Sequence, residues 1–273
     1  MKPGWLGCLL LLVPALACAD YPRRIVSLYP HATELVAVLD ASRLVAVDGA
    51  SNFPPQVRHL PRVSAYPEPS TEALLALRPD LVITWTSRQQ ARLAARLNRY
   101  GIKVLAIEPQ TPAGVADEIR KLGKLLGVDE GAQALASGYE QRLAGLKQRY
   151  QFAERIRVFV EVSEKPLMTV SGRSFLGKMV EDCGGENIFA SQPAAAPLVS
   201  LEAVLVHRPE IIVTTSGQAS LAQWQRYRQL PAVQNGQLHL LGNDELMRPG
   251  PRLPEGMEML CRLIDRARSA KMP

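Results

Sequence analysis

Apolar and polar positions follow two rhythms along this chain. Short runs with no polar face, such as Leu44-Val45-Ala46-Val47 and Leu81-Val82-Ile83-Thr84, read as strands buried on both sides in a parallel sheet. Between them lie stretches with apolar residues at helical spacing. One helix–turn–strand unit occurs twice: Glu72 to Thr84 is EALLALRPDLVIT and Glu202 to Thr214 is EAVLVHRPEIIVT, six of thirteen positions being identical. In each copy a short helix opens at the Glu and stops before Arg-Pro, where proline bars continuation and biases the preceding residue to extended geometry. An acidic residue then leads into the strand. The copies lie too far apart for a solenoid and predict two lobes of one design, each an α/β layer structure.

The remaining elements fit between these anchors. Arg24 to Leu28 reads as the first strand, Tyr29-Pro30-His31 as a turn, and Ala32 to about Leu39 as a helix. Leu44 to Val47 is a strand ending at Asp48-Gly49-Ala50. After the strand Leu81 to Thr84 come Trp85, a helix from Arg88 to Tyr100 and a strand from Ile102 to Ile107. Thr111 as N-cap and Pro112 at the first helical position start a helix that stops near Gly127. Asp129 caps a further helix with apolar positions from Ala132 to Tyr150, the single connection between lobes. The second lobe starts at the strand Arg157 to Val160. It continues with helices Phe175 to Asp182 and Leu221 to Arg228, the strand Leu238 to Leu241, a Pro- and Gly-rich loop Gly242 to Pro254, and a closing helix Glu255 to Arg268. The division is thus 1–19 signal peptide, 20–128 first lobe, 129–152 connecting helix and 153–273 second lobe.

Composition changes the picture mainly at the N-terminus. Lys2 is the only charge in the first nineteen residues, Leu6 to Val13 is mostly leucine, and Ala17-Cys18-Ala19 offers small residues for cleavage. That pattern predicts a cleaved secretory signal and a soluble exported protein. Lipidation at Cys18 fits less well, because the leucine of Ala15-Leu16-Ala17 sits one place late. The formal charge is +6, spread along the chain without a basic run interleaved with aromatics, which argues against nucleic acid. Cys183 and Cys261 remain after cleavage, and an even pair in an exported protein predicts a disulfide.

Catalytic signatures are missing from the sequence: there is no G-x-S-x-G elbow, phosphate-binding glycine loop or His-x-x-x-His pair. His31 and Glu34 have a spacing compatible with a metal, but a helix start facing solvent is the simpler expectation. His207 reads as a helix-end residue. The chemistry concentrates at strand mouths, where open α/β sheets bind ligands. Trp85 follows a strand, Tyr66 lies on the loop before the first repeat, and Met168, Asp244 and Arg248 fall on loops of the other lobe. They predict an aromatic wall and a polar clamp across a cleft, suited to a large flat ligand with polar edges. Asp244 with Arg248 also fits a plain surface ion pair.

RIVSLYPHATEL, NFPPQ, ALRPDLVITW, GIKV, CGGENIF and PGPR run through nearly the whole mature chain. With them the sequence resembles the periplasmic vitamin B12 (cobalamin)-binding proteins that feed an ABC importer. ALRPDLVI alone is shared with siderophore, haem and metal-chelate receptors of the same fold. The resemblance implies the class III periplasmic-binding-protein fold: two Rossmann-like lobes with mostly parallel sheets, one rigid connecting helix, and a corrin ring held between the lobes. It implies no enzyme activity, no cofactor beyond the carried corrinoid, no metal site and a monomer. By position it places ligand contacts on Ala50, Tyr66, Trp85, Met168, Ala196 and the stretch Asp244, Glu245, Leu246, Met247, Arg248. It places Glu72 and Glu202, each just after a hydroxyl-bearing residue, against the two transmembrane subunits of the importer. Departures from the family are Ala50 for Tyr, Ala196 for Trp, Met168 for an aromatic and Tyr66 for Trp. Each lost stack weakens binding by up to about 1 kcal/mol beyond lost area. The competing expectation is a receptor for haem or a ferric siderophore. Such a site needs several cations, and only Arg248 and Arg88 offer themselves; a secreted enzyme on this fold ranks last.

Overall fold

A computed structural model describes residues 21–271 except Pro67, Ser87 and Asn243, so the signal segment, with Cys18, lies outside the described residues, as does the Arg88 side chain. The N-terminal sheet is parallel throughout, in the order β3 (Arg62–Val63), β2 (Leu44–Asp48), β1 (Ile25–Ser27), β4 (Leu81–Thr84) and β5 (Lys103–Ala106). Side-chain alternation divides its residues between two helical layers. Ile25, Leu81 and Ile83 pack with α1 (Pro30–Asp40) and α4 (Gly114–Leu126). Val26, Leu28 and Val82 pack with α2 (Thr71–Ala76) and α3 (Arg88–Asn98). Burial of both faces is why these strands lack polar alternation.

The chain then crosses to the second lobe along α5 (Asp129–Tyr150), whose Ala132 and Ala136 are buried against α4. The helices meet closely at Gly123, where an added Cβ would stand 2.1 Å from that of Ala132. The second sheet is built on the long β6 (Ile156–Ser163). On one side β9 (Ile211–Thr214) and β10 (Leu238–Leu240) continue in parallel. Along the other edge β8 (Gly185–Asn187) pairs in parallel with the first half of β6, and β7 (Met168–Thr169) pairs antiparallel with the second half. Its helices are α6 (Phe175–Asp182), α7 (Leu201–His207), α8 (Gln218–Trp224), α9 (Pro231–Gln234), α10 (Asp244–Met247) and α11 (Leu253–Lys271).

A buried carboxylate ties part of this lobe together. Glu161 of β6 accepts hydrogen bonds from Thr214 Oγ1 at 2.8 Å, Trp224 Nε1 at 2.6 Å and the Ser220 hydroxyl. It anchors α8 to the sheet. The disulfide Cys183–Cys261 joins the end of α6 to the middle of α11, as the cysteine count predicts.

The repeat has a structural meaning beyond its sequence. Ser70 and Ser200 cap α2 and α7, each accepting a hydrogen bond at 3.2 Å from the N–H of the third helical residue, Ala73 and Ala203. The residues before proline are not extended as the sequence suggests: Arg78 and Arg208 both lie at φ 47°. Left-handed backbone costs a non-glycine residue roughly 1–2 kcal/mol, and the same partners offset it in both lobes. Arg24 donates to Arg78 O at 3.0 Å and Arg157 to Arg208 O at 3.0 Å. The acid after each Arg-Pro holds the incoming strand: Asp80 accepts from Arg24 N at 2.8 Å, Glu210 from Arg157 N at 2.9 Å. The motif is a joint between helix end and strand start.

Other boundaries differ from the sequence expectation. Helix α1 begins at Pro30, not Ala32, because proline is accommodated at the first helical position. His31 and Glu34 are buried within it, correcting the solvent-facing expectation. Helix α4 begins at Gly114, with Thr111 Oγ1 accepting from Gly114 N at 3.0 Å ahead of it. Asp244 to Arg248, expected as loop, contains α10, and Met168 lies in β7. Helix α8 is Gln218–Trp224, earlier than the predicted span.

Candidate functional site

Four of the five strands of the first sheet deliver a ring or a small residue to the carboxyl end of the sheet. Tyr29 follows β1, Ala50 follows β2, Tyr66 follows β3, and Trp85 follows β4. The order β3-β2-β1-β4-β5 reverses between β1 and β4, the topological switch point where such sheets take ligands. There Tyr29 and Trp85 stack tilted, with ring centroids 5.1 Å apart, and the His31 ring meets Tyr29 edge-on at 4.5 Å.

Two adjoining cavities share this aromatic floor. One, of about 400 Å³, is lined by Ala50, Tyr66, Trp85, Met247 and Arg248 together with Asp48 and Pro249. The other, of about 350 Å³, lies against the second lobe and is lined by Trp85, Glu108, Phe175, Leu246 and Met247 among others. Tyr29, His31, Trp85, Met247 and Pro249 border both. The aromatic pair is therefore the ridge between two halves of one cleft, and α10 with the following loop forms its roof.

The polar rim is dominated by one acid. Glu34 is 2% exposed and accepts from Arg248 Nη1 at 3.1 Å, from Arg252 Nη2 at 2.7 Å and from Arg252 Nε at 2.9 Å. Arg248 also donates to Asn52 Oδ1 at 2.7 Å and pairs with Asp244 at 2.9 Å. Arg252 pairs with Glu245, and its guanidinium lies 3.7 Å over the Phe53 ring. Asp48 accepts from Ala50 N at 2.8 Å and from the Ser51 hydroxyl, shaping the turn that presents Ala50.

His31 is held neutral. Its Nε2 lies 3.3 Å from Ile107 O, a carbonyl that accepts only, so Nε2 carries the proton and Nδ1 the lone pair, which has no partner. Burial pushes its pKa from 6.5 down to about 4, and the hydrogen bond to Ile107 opposes only part of that. Among the described residues no cluster of three or more His, Cys, Asp or Glu suits a metal ion.

Of the residues singled out in the sequence, Ala50, Tyr66, Trp85, Leu246, Met247 and Arg248 converge on the cleft. Asp244 and Glu245 instead hold the two arginines in place. Met168 and Ala196 line neither cavity. Met168 pairs with Ser163 at the end of β6 and bridges to Leu198, while Ala196 is exposed in the bend two residues ahead of Leu198. Both sit on the second lobe's edge. Tyr29, Asn52 and Arg252 were not found from sequence, and Glu34 was weighed there only with His31 as a metal pair. Only the Arg-Pro-Gly-Pro-Arg stretch, Arg248 to Arg252, carried a local signal.

Glu72 and Glu202 are exposed in the opening turns of α2 and α7. Each helix leads through a tight turn into its strand, so its start lies at that strand's carboxyl end, the cleft side. The Glu72 carboxyl is held below its usual range by its own backbone N–H and by the Ser70 hydroxyl. His207 ends α7, as the sequence suggests.

Two α/β lobes on a single connecting helix, with an aromatic-floored cleft at the switch point, define a solute receptor of the class III arrangement. The chain belongs to the periplasmic binding protein family, whose model matches residues 25–245. It is 36% identical over 256 residues to a vitamin B12-binding protein of Vibrio cholerae, covering 92% of this chain and 93% of that one. A vitamin B12-binding protein of Photorhabdus laumondii is 32% identical, with 89% and 88% covered. The crystal structure of the Vibrio cholerae periplasmic vitamin B12 binding protein superposes with a TM-score of 0.79 at 35% identity, covering 90% of this chain and 98% of that one. A periplasmic heme binding protein of the same organism shares the fold at 21% identity, with a TM-score of 0.78 and 88% and 98% covered.

Proposed function

We propose that this chain captures cobalamin or a related corrinoid between its lobes in the periplasm and delivers it to an ABC importer. The observation that carries the choice of ligand is the commitment of Arg248. Among the described residues it is the one cation lining the two cavities, and it already meets Glu34, Asp244 and Asn52. Glu34, Asp244 and Glu245 outnumber Arg248 and Arg252 at the rim, and Asp48 and Glu108 add further acids to the lining. A ferric siderophore or the two propionates of haem need uncommitted cations. A macrocycle edged with amides and near neutral overall needs hydrogen-bonding groups and an aromatic floor, which Tyr29 and Trp85 supply.

The same reading takes Ala50, Tyr66, Trp85, Met247 and Arg248 as ligand contacts, with Met168 and Ala196 closing on the ligand from the second lobe's rim. It takes the chain as a monomer after loss of residues 1–19, with lobes spanning 20–128 and 153–273. Glu72 and Glu202 dock one on each membrane subunit of the importer, where paired charges steer association and fix register. Calorimetric titration with cyanocobalamin, haemin and a ferric siderophore tests the assignment. Binding of cyanocobalamin at one per chain, and tighter than either competitor, is expected. No heat with cyanocobalamin at micromolar concentrations would refute it.

A further inference from the structure

The connection between lobes along α5 is a single covalent joint at one side of the cleft. The Glu34 cluster forms a second contact on a different set of elements. Glu34 projects from α1, and Asn52 and Phe53 follow β2, all on the first lobe. Arg248 and Arg252 flank Pro249-Gly250-Pro251, between α10 and α11 of the second lobe. The prolines fix φ and Gly250 closes a tight turn, its N–H donating to Arg248 O at 2.7 Å. The turn lies directly against the acid: an added Cβ at Gly250 would stand at ordinary contact distance, 3.5 Å, from Glu34 Oε2. The turn thus aims two guanidiniums four residues apart at one buried carboxylate.

We infer that Glu34 and Arg252 form an interlobe clasp that sets the width of the cleft and positions Arg248 for the ligand. The inference rests on the proposed capture of a ligand between the lobes. Three features separate it from an ordinary ion pair. Glu34 is buried and shared by two arginines, so both lose their partner together. Arg252 is clamped from the first lobe on two sides, by Glu34 and by the Phe53 ring at 3.7 Å. Asn52 completes the rim, accepting from Arg248 and donating from Nδ2 to Asp244 Oδ2 at 3.2 Å. A first-lobe side chain thereby fixes the geometry of a second-lobe ion pair, and any splaying of the lobes misplaces the rim. Glu34, Asn52 and Arg252 are positioning residues: they line neither cavity and act through Arg248.

Spin labels on Asn98→Cys and Ala222→Cys, exposed positions of α3 and α8, report the interlobe distance without any ligand. The native cysteines are paired with each other and leave these sites free to label. Wild type is expected to give one narrow distance, and Glu34→Gln a broader and shifted distribution. Cyanocobalamin affinity in Glu34→Gln should fall by about 30-fold, the effect of truncating one partner of a buried charge pair at an interface. Arg252→Met keeps the Arg248–Glu34 bond and should give a smaller change in both measurements; it decides the matter if Glu34→Gln does not fold. Interlobe distances unchanged in the folded variants would overturn the clasp. Failure of the wild type to take cyanocobalamin would remove the ligand assignment alone, since the spin-label distances need no ligand.

Discussion

Replacing His31 by Gln should flatten the acid side of the stability curve. In the folded chain the ring is buried, donates to Ile107 O at 3.3 Å, and has its pKa lowered from 6.5 to about 4. The unfolded chain takes up a proton near pH 6.5 and the folded chain does not until about pH 4. Within that window the unfolded state binds more protons, so stability falls as the pH falls. The contribution is complete above pH 6.5 and is lost by about pH 4. At 1.36 kcal/mol per pH unit across the gap, His31 alone removes about 3 kcal/mol. Gln can keep the donor to Ile107 O but carries no titrating group. Urea unfolding of the apo protein between pH 7.5 and 4 should therefore show the wild-type stability minus that of His31→Gln falling by about 3 kcal/mol towards acid, whatever the difference at neutral pH. Parallel curves would show that the ring is not buried and neutral, and the account of the cleft floor would fail with it.

Trp85→Ala should weaken cyanocobalamin binding by about 1–3 kcal/mol in calorimetry while barely moving the apo melting temperature; a large loss of apo stability at unchanged affinity would make Trp85 a core residue. Replacing Cys183 and Cys261 together by Ala frees a loop with a sequence separation of 78 and should lower unfolding stability by about 4 kcal/mol on the chain-entropy argument, measured by denaturant titration. Glu72→Arg and Glu202→Arg should each leave cyanocobalamin affinity unchanged and abolish importer-stimulated uptake. Normal uptake with both reversals would leave these acids as helix-start residues only.

By itself, the chain's local pattern determined the layered α/β architecture. Strands buried on both faces are written as continuous apolar runs, and amphipathic helices as a period near 3.6, so neighbours in sequence suffice to show them. The repeat predicted two lobes, the cysteine count the disulfide, and position after a strand the place of Trp85 at the cleft. Loop position singled out Tyr66 and Arg248, and resemblance to a known family added Ala50 and Met247; the fold brings all four to one cleft. The tertiary structure alone decided who partners whom. Glu34 reads as a helix-start acid until a chain separation of 214 residues is closed to Arg248. The residues before the two prolines read as extended until Arg24 and Arg157 arrive from other strands to hold their carbonyls. His31 reads as exposed until Tyr29 and Ile107 enclose it. Periodicity records which face of an element is buried. The charge or carbonyl waiting across a lobe boundary leaves no mark on the residues beside it.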